Sequence, residues 1–167
     1  MRLTGAAQSG DDAPMTALFQ IREVSWATAR DSLRAIRKTV FVEEQGVPEA
    51  LEWDEHDGEA QHVLAITNGG APVGTGRLLR DGRIGRMAVL KAWRRHGVGS
   101  AMLDALIAMA RRNRCSIIWL HAQVHALAFY ERHGFEARGP EFSEAGIPHR
   151  EMRLNPPRGA EEAQRRG

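Results

Sequence analysis

A basic turn with two glycines has the composition of an anion-binding site. It follows an apolar run that ends at Leu90, and it leads into apolar residues spaced as on an amphipathic helix. Glycines let the backbone approach a ligand closely, and the first amides of a helix have no partner within the helix. The positive end of the helix dipole lies at the same place, so the turn predicts a phosphate site. Its residues are Arg94, Arg95, His96, Gly97, Val98, Gly99 and Ser100.

The spacing of these glycines argues against two common nucleotide sites. No Gly-x-x-x-x-Gly-Lys-Ser/Thr string occurs in the chain, which excludes a P-loop. A dinucleotide fingerprint places a third glycine where this chain has Met102, so that fingerprint is incomplete. A basic turn that merely begins a surface helix remains the alternative.

Charge is distributed unevenly along the chain. Residues 43–61 contain eight acids and no Lys or Arg, whereas residues 77–114 contain ten bases and two acids. Either run alone could be an ordinary solvated surface. Together they suit an enzyme that binds a polyanionic cofactor on one side and a cationic substrate on the other.

Length and composition are those of one globular domain. The chain has 167 residues, of which 43% are hydrophobic, and no apolar run reaches the roughly 20 residues of a membrane span. Residues 1–14 lack the pattern of a secretion signal, and Cys115 has no second cysteine with which to pair. We therefore expect a cytoplasmic protein that does not interact with membranes.

Hydrophobic periodicity and turn residues divide the chain into strands and helices. Asn68-Gly69-Gly70 and Asp81-Gly82 are hairpin signals, so an antiparallel meander leads to the basic turn. The strand after the next helix is nearly all apolar, which predicts burial on both faces and a parallel neighbour. The predicted strands are residues 18–24, 62–67, 72–79, 83–90, 116–123, 135–138 and 151–154, and the predicted helices are residues 27–45, 98–112 and 125–133.

The ends of the chain and two connections are predicted to lack regular structure. Residues 1–15 have a disordered composition, residues 16–155 form the single domain, and residues 156–167 form a flexible tail. Residues 47–61 are a long acidic loop, a length that usually indicates function or disorder, and Trp53 within the loop argues against disorder. Another loop is expected between the two last strands.

Two motifs resemble those of the GNAT family of acyl-CoA N-acyltransferases. The segment Arg94 to Gly99 resembles the family's Gln/Arg-x-x-Gly-x-Gly/Ala motif, and the segment Phe129 to Phe135 matches its Phe/Leu-Tyr-Glu-Lys/Arg-x-Gly-Phe signature. Three further strings resemble the ElaA-like subgroup, and the likeness covers roughly residues 21–154. These strings are residues 40–45, 122–125 and 146–149.

This resemblance implies an α/β (α+β) fold and an activity. The GNAT fold is a mixed, mostly antiparallel sheet of six to seven strands flanked by helices, with the fourth and fifth strands parallel and splayed. The implied reaction transfers the acetyl group of acetyl-CoA to a primary amine by direct attack. The acceptor would be an unidentified small molecule or peptide. Neither a metal ion nor a nucleic acid is expected as a partner, and the protein could form a homodimer.

The resemblance also implies a cofactor site. The basic turn would bind the phosphates, and the backbone of Met87, Ala88 and Val89 would bind the pantetheine arm as if it were an added strand. Gln123 stands where many relatives have an Asn that contacts the same arm.

Tyr130 corresponds to the family's usual general acid. An unperturbed tyrosine has a pKa of about 10 and a thiol one of about 8.5, so proton transfer to a departing thiolate is close to balanced. The alternative is a tyrosine that only packs its ring.

The general base is open between several residues. Glu43, Glu44, Asp54 and His121 are candidates, and a chain of water molecules is equally possible. Histidine titrates nearest to neutral pH, which favours His121, although a histidine satisfied within the core is the alternative.

Two other functions fit parts of the sequence. A nucleic-acid-binding module would explain the sequence pI of 9.2, but it needs base-stacking aromatic residues on the basic face, where only Trp93 stands. A catalytically idle sensor of acyl-CoA would share the cofactor site, and Tyr130 argues against it.

Overall fold

A computed structural model describes residues 18–156 and places seven strands in one sheet. The strands are β1 (Phe19–Val24), β2 (Gln61–Thr67), β3 (Pro72–Leu78), β4 (Arg83–Val89), β5 (Trp119–Gln123), β6 (Phe135–Glu144) and β7 (Ile147–Leu154). Their spatial order is β1-β2-β3-β4-β5-β7-β6, and only β4 and β5 run parallel. The predicted fold class is therefore confirmed. The predictions for residues 1–15 and for the tail beyond residue 156 lie outside the described residues.

Helices cover both faces of the sheet. The helices are α1 (Trp26–Arg37), α2 (Glu49–Glu52), α3 (Val98–Arg112) and α4 (Leu127–Arg132). The hydroxyl of Ser25 begins α1 by accepting a hydrogen bond from the amide of Thr28 at 3.3 Å. The predicted helix over 27–45 has nearly the right extent, but its last part, Lys38–Glu44, is a π-helix. The bounds of α3 agree with the prediction.

Alternating residues of β2 show the two faces of the sheet. Val63 and Ala65 pack into the cluster that contains α3, while Leu64 packs with α1 on the other face. The helix α3 lies very close to β3, because a Cβ atom on Gly76 would be only 2.8 Å from a methyl group of Leu106. The meander thus forms a rigid base for α3.

The predicted strand over 116–123 begins later than expected. Pairing with β4 begins only at Trp119, and Ile117 is 44% exposed. Leu120 and Ala122 are buried in the core, whereas the alternate residues of β5 are only half-buried. The prediction of burial on both faces is wrong, because the other face of β5 borders an open cleft.

The loop predicted between the last two strands is instead a long hairpin. β6 extends to Glu144, and β7 begins at Ile147. Ala145 and Gly146 join the two strands, and both have positive φ. Pro140 suggested a loop, but it lies in an irregular stretch between Arg138 and Phe142 on an outer strand of the sheet. A proline is tolerated there because no continuous ladder needs its amide.

A buried ionic network, here called the Arg37 network, ties α1 to the acidic loop and the sheet. Arg37 is 1% exposed, and its guanidinium donates to Glu52 Oε1 and Asp57 Oδ1, each at 2.7 Å. Arg77 of β3 donates to Asp57 at 2.9 Å and to Asp54 at 2.8 Å. Arg86 of β4 lies 3.3 Å from Asp54 and 3.4 Å from Glu52. Three cations thus neutralise three carboxylates.

The acidic run is only partly exposed to solvent, because the Arg37 network binds three of its carboxylates. Glu52 is 3% exposed and Asp57 is 2% exposed, and the arginines beside them offset their charges, so these two carboxylates contribute little attraction for a distant cationic substrate. They fold inward because the arginines of α1, β3 and β4 need partners when they are buried. Five acids among residues 43–61 remain exposed and are not paired with these arginines. They are Glu43, Glu44, Glu49, Glu55 and Glu59.

The pKa values of two carboxylates in the network are shifted in opposite directions. Burial raises the pKa of Asp57, but hydrogen bonds and charge from Arg37 and Arg77 outweigh it, so the pKa is lowered. Its contribution to stability is therefore present above about pH 3.9 and is lost as pH falls through the lower folded value. Burial dominates at Glu52 and raises the pKa of that group, despite Arg86 and Arg37.

Asp57→Asn should lower the free energy of unfolding by about 3–5 kcal/mol, because it leaves Arg37 and Arg77 buried with too little negative charge. Urea unfolding at pH 7 measures this loss. Glu55→Gln is the matched control, since it removes an exposed acid from the same loop and should stay within about 0.5 kcal/mol of wild type. Equal stabilities of the two variants would contradict the structural role of the network.

Candidate active site

The strands β4 and β5 diverge and open a cavity between them. The two strands pair at only two positions among the described residues, Arg83 with Trp119 and Ile84 with Leu120. Beyond these pairs lies a cavity of about 820 Å³, a size typical of small-molecule sites. Its walls come from β4, β5, the π-helical segment, α4 and the β6–β7 turn.

A β-bulge turns the middle of β4 toward this cavity. Thr75 of β3 pairs with Ala88, but Arg77 pairs with Gly85, so β4 carries one extra residue. Arg86 sits in the bulge with a φ of 50°. The segment Met87 to Val89 lines the cavity and has no registered strand partner on the β5 side among the described residues. This edge of β4 can therefore accept an extended ligand.

The basic turn begins α3 as predicted. Gly97 is the N-cap residue of α3 and has a φ of 82°, a left-handed conformation that favours glycine. The first backbone bond of the helix runs from the amide of Ala101 to the carbonyl of Gly97. The amides of Val98, Gly99 and Ser100 precede it and have no helical acceptor, so they can donate to an anion.

The side chains of the basic turn have different surroundings. Arg94 lines the cavity, where it donates to the carbonyl of Val89 at 3.0 Å and to Glu44 Oε2 at 2.6 Å. Arg95 is exposed with a φ of 65°, and the ring of His96 contacts that of Trp93.

Two further residues of the turn are held by neighbours. The side chain of Val98 is buried in the core, and the Ser100 hydroxyl lies 3.1 Å from Nε2 of His133. Gly99 lines the cavity beside Phe129.

Tyr130 projects from α4 onto the cavity wall. Its ring contacts Phe129 and Phe135, and its hydroxyl has one hydrogen-bonding contact among the described residues, with Sδ of Met87 at 3.8 Å. Burial raises the pKa of Tyr130 to about 12. The hydroxyl therefore stays protonated at neutral pH, but it is a weaker acid than its ordinary pKa suggested.

Gln123 crosses the cleft to the end of the π-helical segment. Its amide nitrogen donates to Oε1 of Gln45 at 2.8 Å, and the reverse bond measures 3.3 Å. This amide pair links β5 to the helical wall. The group predicted to contact a pantetheine arm is thus engaged with protein in this structure.

The candidate bases are separated by the fold. Glu44 is paired with Arg94, Asp54 belongs to the Arg37 network, and Glu43 is exposed. His121 projects from β5 into the cavity, 3.0 Å from Arg83 and 3.3 Å from Glu144 through its Nδ1 atom.

Arg83, Glu144 and His149 also line the cavity, although no pattern in the sequence marks them as site residues. Glu144 was hidden because it fell in a predicted loop. The string that ends at His149 contributed only to the family resemblance. His149 lies near His121 because β5 pairs with β7. Lining residues drawn from distant strands leave no local pattern.

Neither a membrane span nor a metal cluster is found within residues 18–156. None of the helices there is long and apolar enough to cross a bilayer. No group of three or more His, Cys, Asp and Glu side chains in this part of the chain is arranged to bind a metal ion. The expectation of a metal-free site stays a prediction.

Comparison with known proteins relates this chain to acetyltransferases. A sequence model described as the Acetyltransferase (GNAT) domain matches residues 26–156. A similar relative is the uncharacterized N-acetyltransferase YjcF of Bacillus subtilis (strain 168), which is 40% identical over 121 residues. The match covers 70% of this chain and 86% of YjcF.

Solved structures show the same fold. An acyl-CoA N-acyltransferase from Pseudomonas aeruginosa is 30% identical with a TM-score of 0.72, and the match covers 82% of this chain and 99% of that one. Escherichia coli ElaA is 26% identical with a TM-score of 0.73, covering 83% and 100% respectively. The resemblance read from the two sequence motifs is confirmed.

Alkaline titration can test the environment of Tyr130 directly, because it is the single tyrosine of the chain. Absorbance of the phenolate should give a midpoint near a pKa of about 12 in the folded protein. The urea-unfolded chain should titrate near the ordinary pKa of about 10. A midpoint near 10 in the folded protein would contradict the buried hydroxyl.

Proposed function

Because this chain belongs to the GNAT acetyltransferase family, we propose that it transfers the acetyl group of acetyl-CoA to a primary amine. The amine nitrogen attacks the thioester directly. The acceptor is a small molecule or a peptide, and acetyl-CoA is a co-substrate rather than a resident cofactor.

The observation that carries this proposal is the position of Tyr130. A protonated hydroxyl with only a weak partner borders a cavity between two diverging strands. Such a group can donate a proton to a departing thiolate. Its pKa of about 12 is less unfavourable than it looks, because the same low-dielectric surroundings raise the pKa of a thiol held there.

The residues of the cleft fit acetyl-CoA. The free amides at the start of α3 and the guanidinium groups of Arg94 and Arg95 suit a pyrophosphate, and the unpaired edge of β4 at Met87 to Val89 suits an extended amide-bearing arm. Arg94 would exchange Glu44 for phosphate. Gln123 would contact the arm by exchanging its bond to Gln45.

His121 is the best candidate for the general base. It lines the same cavity as Tyr130, and only its Nδ1 atom has a protein partner among the described residues. Glu44 is a poorer candidate because its carboxylate is already paired with Arg94 at 2.6 Å.

The ion pairs favour an enzyme over a nucleic-acid-binding module. Arginines of the basic middle are paired with acids of the same chain, which leaves fewer cations for phosphates. The paired arginines are Arg77, Arg83, Arg86, Arg94 and Arg112. A catalytically idle sensor of acyl-CoA would not need the Tyr130 hydroxyl, so variants of Tyr130 distinguish a sensor from an enzyme.

Replacing Gly97 and Gly99 together by Val should abolish the thermal stabilisation by acetyl-CoA. Ligand at about 100 times its dissociation constant stabilises a fold by about 2.7 kcal/mol. Valine is strained at the φ of Gly97, and at position 99 it would crowd the cavity. Gly139→Val is the matched control, since its φ of 72° imposes similar strain in β6. A full shift in the folded double variant would contradict this phosphate site.

Tyr130→Phe should lower kcat by about 10²–10⁴-fold while leaving the acetyl-CoA thermal shift unchanged, because the ring still packs and only the proton donor is lost. Thiol release across a panel of amines identifies an acceptor for this measurement. Equal kcat for variant and wild type would return Tyr130 to a packing role. A cofactor shift without turnover of any amine would favour the sensor.

A further inference from the structure

The turn between β6 and β7 brings a carboxylate against the candidate base. Glu144 Oε1 lies 3.3 Å from Nδ1 of His121, and its Oε2 lies 3.6 Å from Nε2 of His149. The guanidinium of Arg83 lies 3.0 Å from the same Nδ1 and 3.4 Å from Glu144. One ring nitrogen thus faces both an acceptor and a donor.

Aromatic rings hold His121 in place on both sides. Its ring meets Trp119 edge-on at 5.4 Å and Phe142 at 4.8 Å between centroids. Across the strand pair, Glu151 of β7 is opposite His121, but that carboxylate is 3.3 Å from Arg153. The charged groups around the imidazole are therefore Arg83, Glu144, Glu151 and, beyond Glu144, His149.

The donors and acceptors restrict the proton on His121. A guanidinium can only donate, so a bond from Arg83 requires a bare Nδ1 and a proton on Nε2. A carboxylate can only accept, so a bond to Glu144 places the proton on Nδ1 and leaves Nε2 bare. Nε2 has no hydrogen-bond partner among residues 18–156, and His121 borders the cavity.

Glu144 is ionised under ordinary conditions. Burial raises the pKa of its carboxyl, but the hydrogen bond and charge of His121, with Arg83 and His149, outweigh burial and lower it. The carboxylate can therefore accept a proton donor from either neighbour.

We propose that Glu144 is a positioning residue that holds the Nδ1 proton of His121, so that Nε2 faces the cavity as the base for the acceptor amine. Arg83 opposes it by competing for Nδ1. This inference rests on the proposed acetyltransferase function.

The proton balance then closes with residues on both sides of the cavity. His121 Nε2 takes one proton from the acceptor's ammonium group and later releases it to solvent. The freed nitrogen lone pair forms the bond to the acetyl carbon, and the carbon–sulfur bond breaks. Tyr130 donates its hydroxyl proton to the thiolate and regains one from the new amide nitrogen. The products are the amide, the thiol and one proton.

Three variants test the assignment once an acceptor is known. His121→Gln and Glu144→Gln should lower kcat by about 10²-fold or more with KM for acetyl-CoA nearly unchanged. Glu144→Asp should recover part of the loss. Glu141→Gln is the matched control, because it removes an exposed carboxylate from the same strand and should keep wild-type kcat.

The pH profile separates positioning from a general structural effect. Loss of the Glu144 charge disfavours the imidazolium, so the acid limb of kcat should move to lower pH in Glu144→Gln. Loss of the Arg83 charge favours it, so the limb should move to higher pH in Arg83→Gln. Shifts in the same direction, or a Glu144→Gln profile equal to that of Glu141→Gln, would overturn the proposal.

Nitrogen NMR of the histidines in the unliganded protein needs no acceptor. Wild type should carry the neutral-form proton of His121 on Nδ1, and Glu144→Gln should move it to Nε2. The same tautomer in both proteins would overturn the positioning role. If wild type acetylates no amine, the proposed function fails and the base role fails with it, whereas the tautomer result still decides whether Glu144 orients His121.

Discussion

The structure depends on a constraint in the middle of its sheet, where two parallel strands pair through only two residues each. β4 pairs with β3 on both sides of its bulge, and every residue of β5 pairs with β7, so the sheet remains continuous although its centre opens. The opening exposes backbone groups of β4 and directs His121 and Gln123 of β5 toward a shared cavity. α3 starts next to this gap, and Gly99 in its first turn lines the same cavity.

The Arg37 network braces one wall of this opening. It joins α1, the acidic loop and two strands through charges that lie far apart in the sequence. Isolated, each buried ion would be costly, but hydrogen bonds and opposite charges satisfy most of its polar atoms. The Trp53 ring packs against the guanidinium groups of Arg34 and Arg37, at 4.4 Å and 5.2 Å from the ring centroid. The acidic and basic runs of the sequence are therefore largely partners of one another rather than two separate binding surfaces.

Local signals in the sequence predicted the elements that local physics determines. The hairpins at Gly70 and Gly82 and the helix after Gly97 depend on glycines with positive φ, and their positions were found correctly. Two motifs were enough to identify the family and the splayed strands. The inward turn of Glu52 and Asp57 could not be read in this way, because it depends on arginines that reach the loop only after folding. Glu144 was missed for a similar reason, since a proline and glycines resembled a loop where an irregular strand occurs.

The irregularity of β6 also bears on how copies of this protein can associate. β6 is the last strand at its side of the described sheet, and an open strand edge is a template for another chain. Its ladder is broken between Arg138 and Phe142, and Pro140 within the break has no amide hydrogen to offer. A second copy would meet an interrupted row of donors, so a continuous intermolecular sheet along β6 is disfavoured. The same irregularity disfavours edge-to-edge aggregation through this strand.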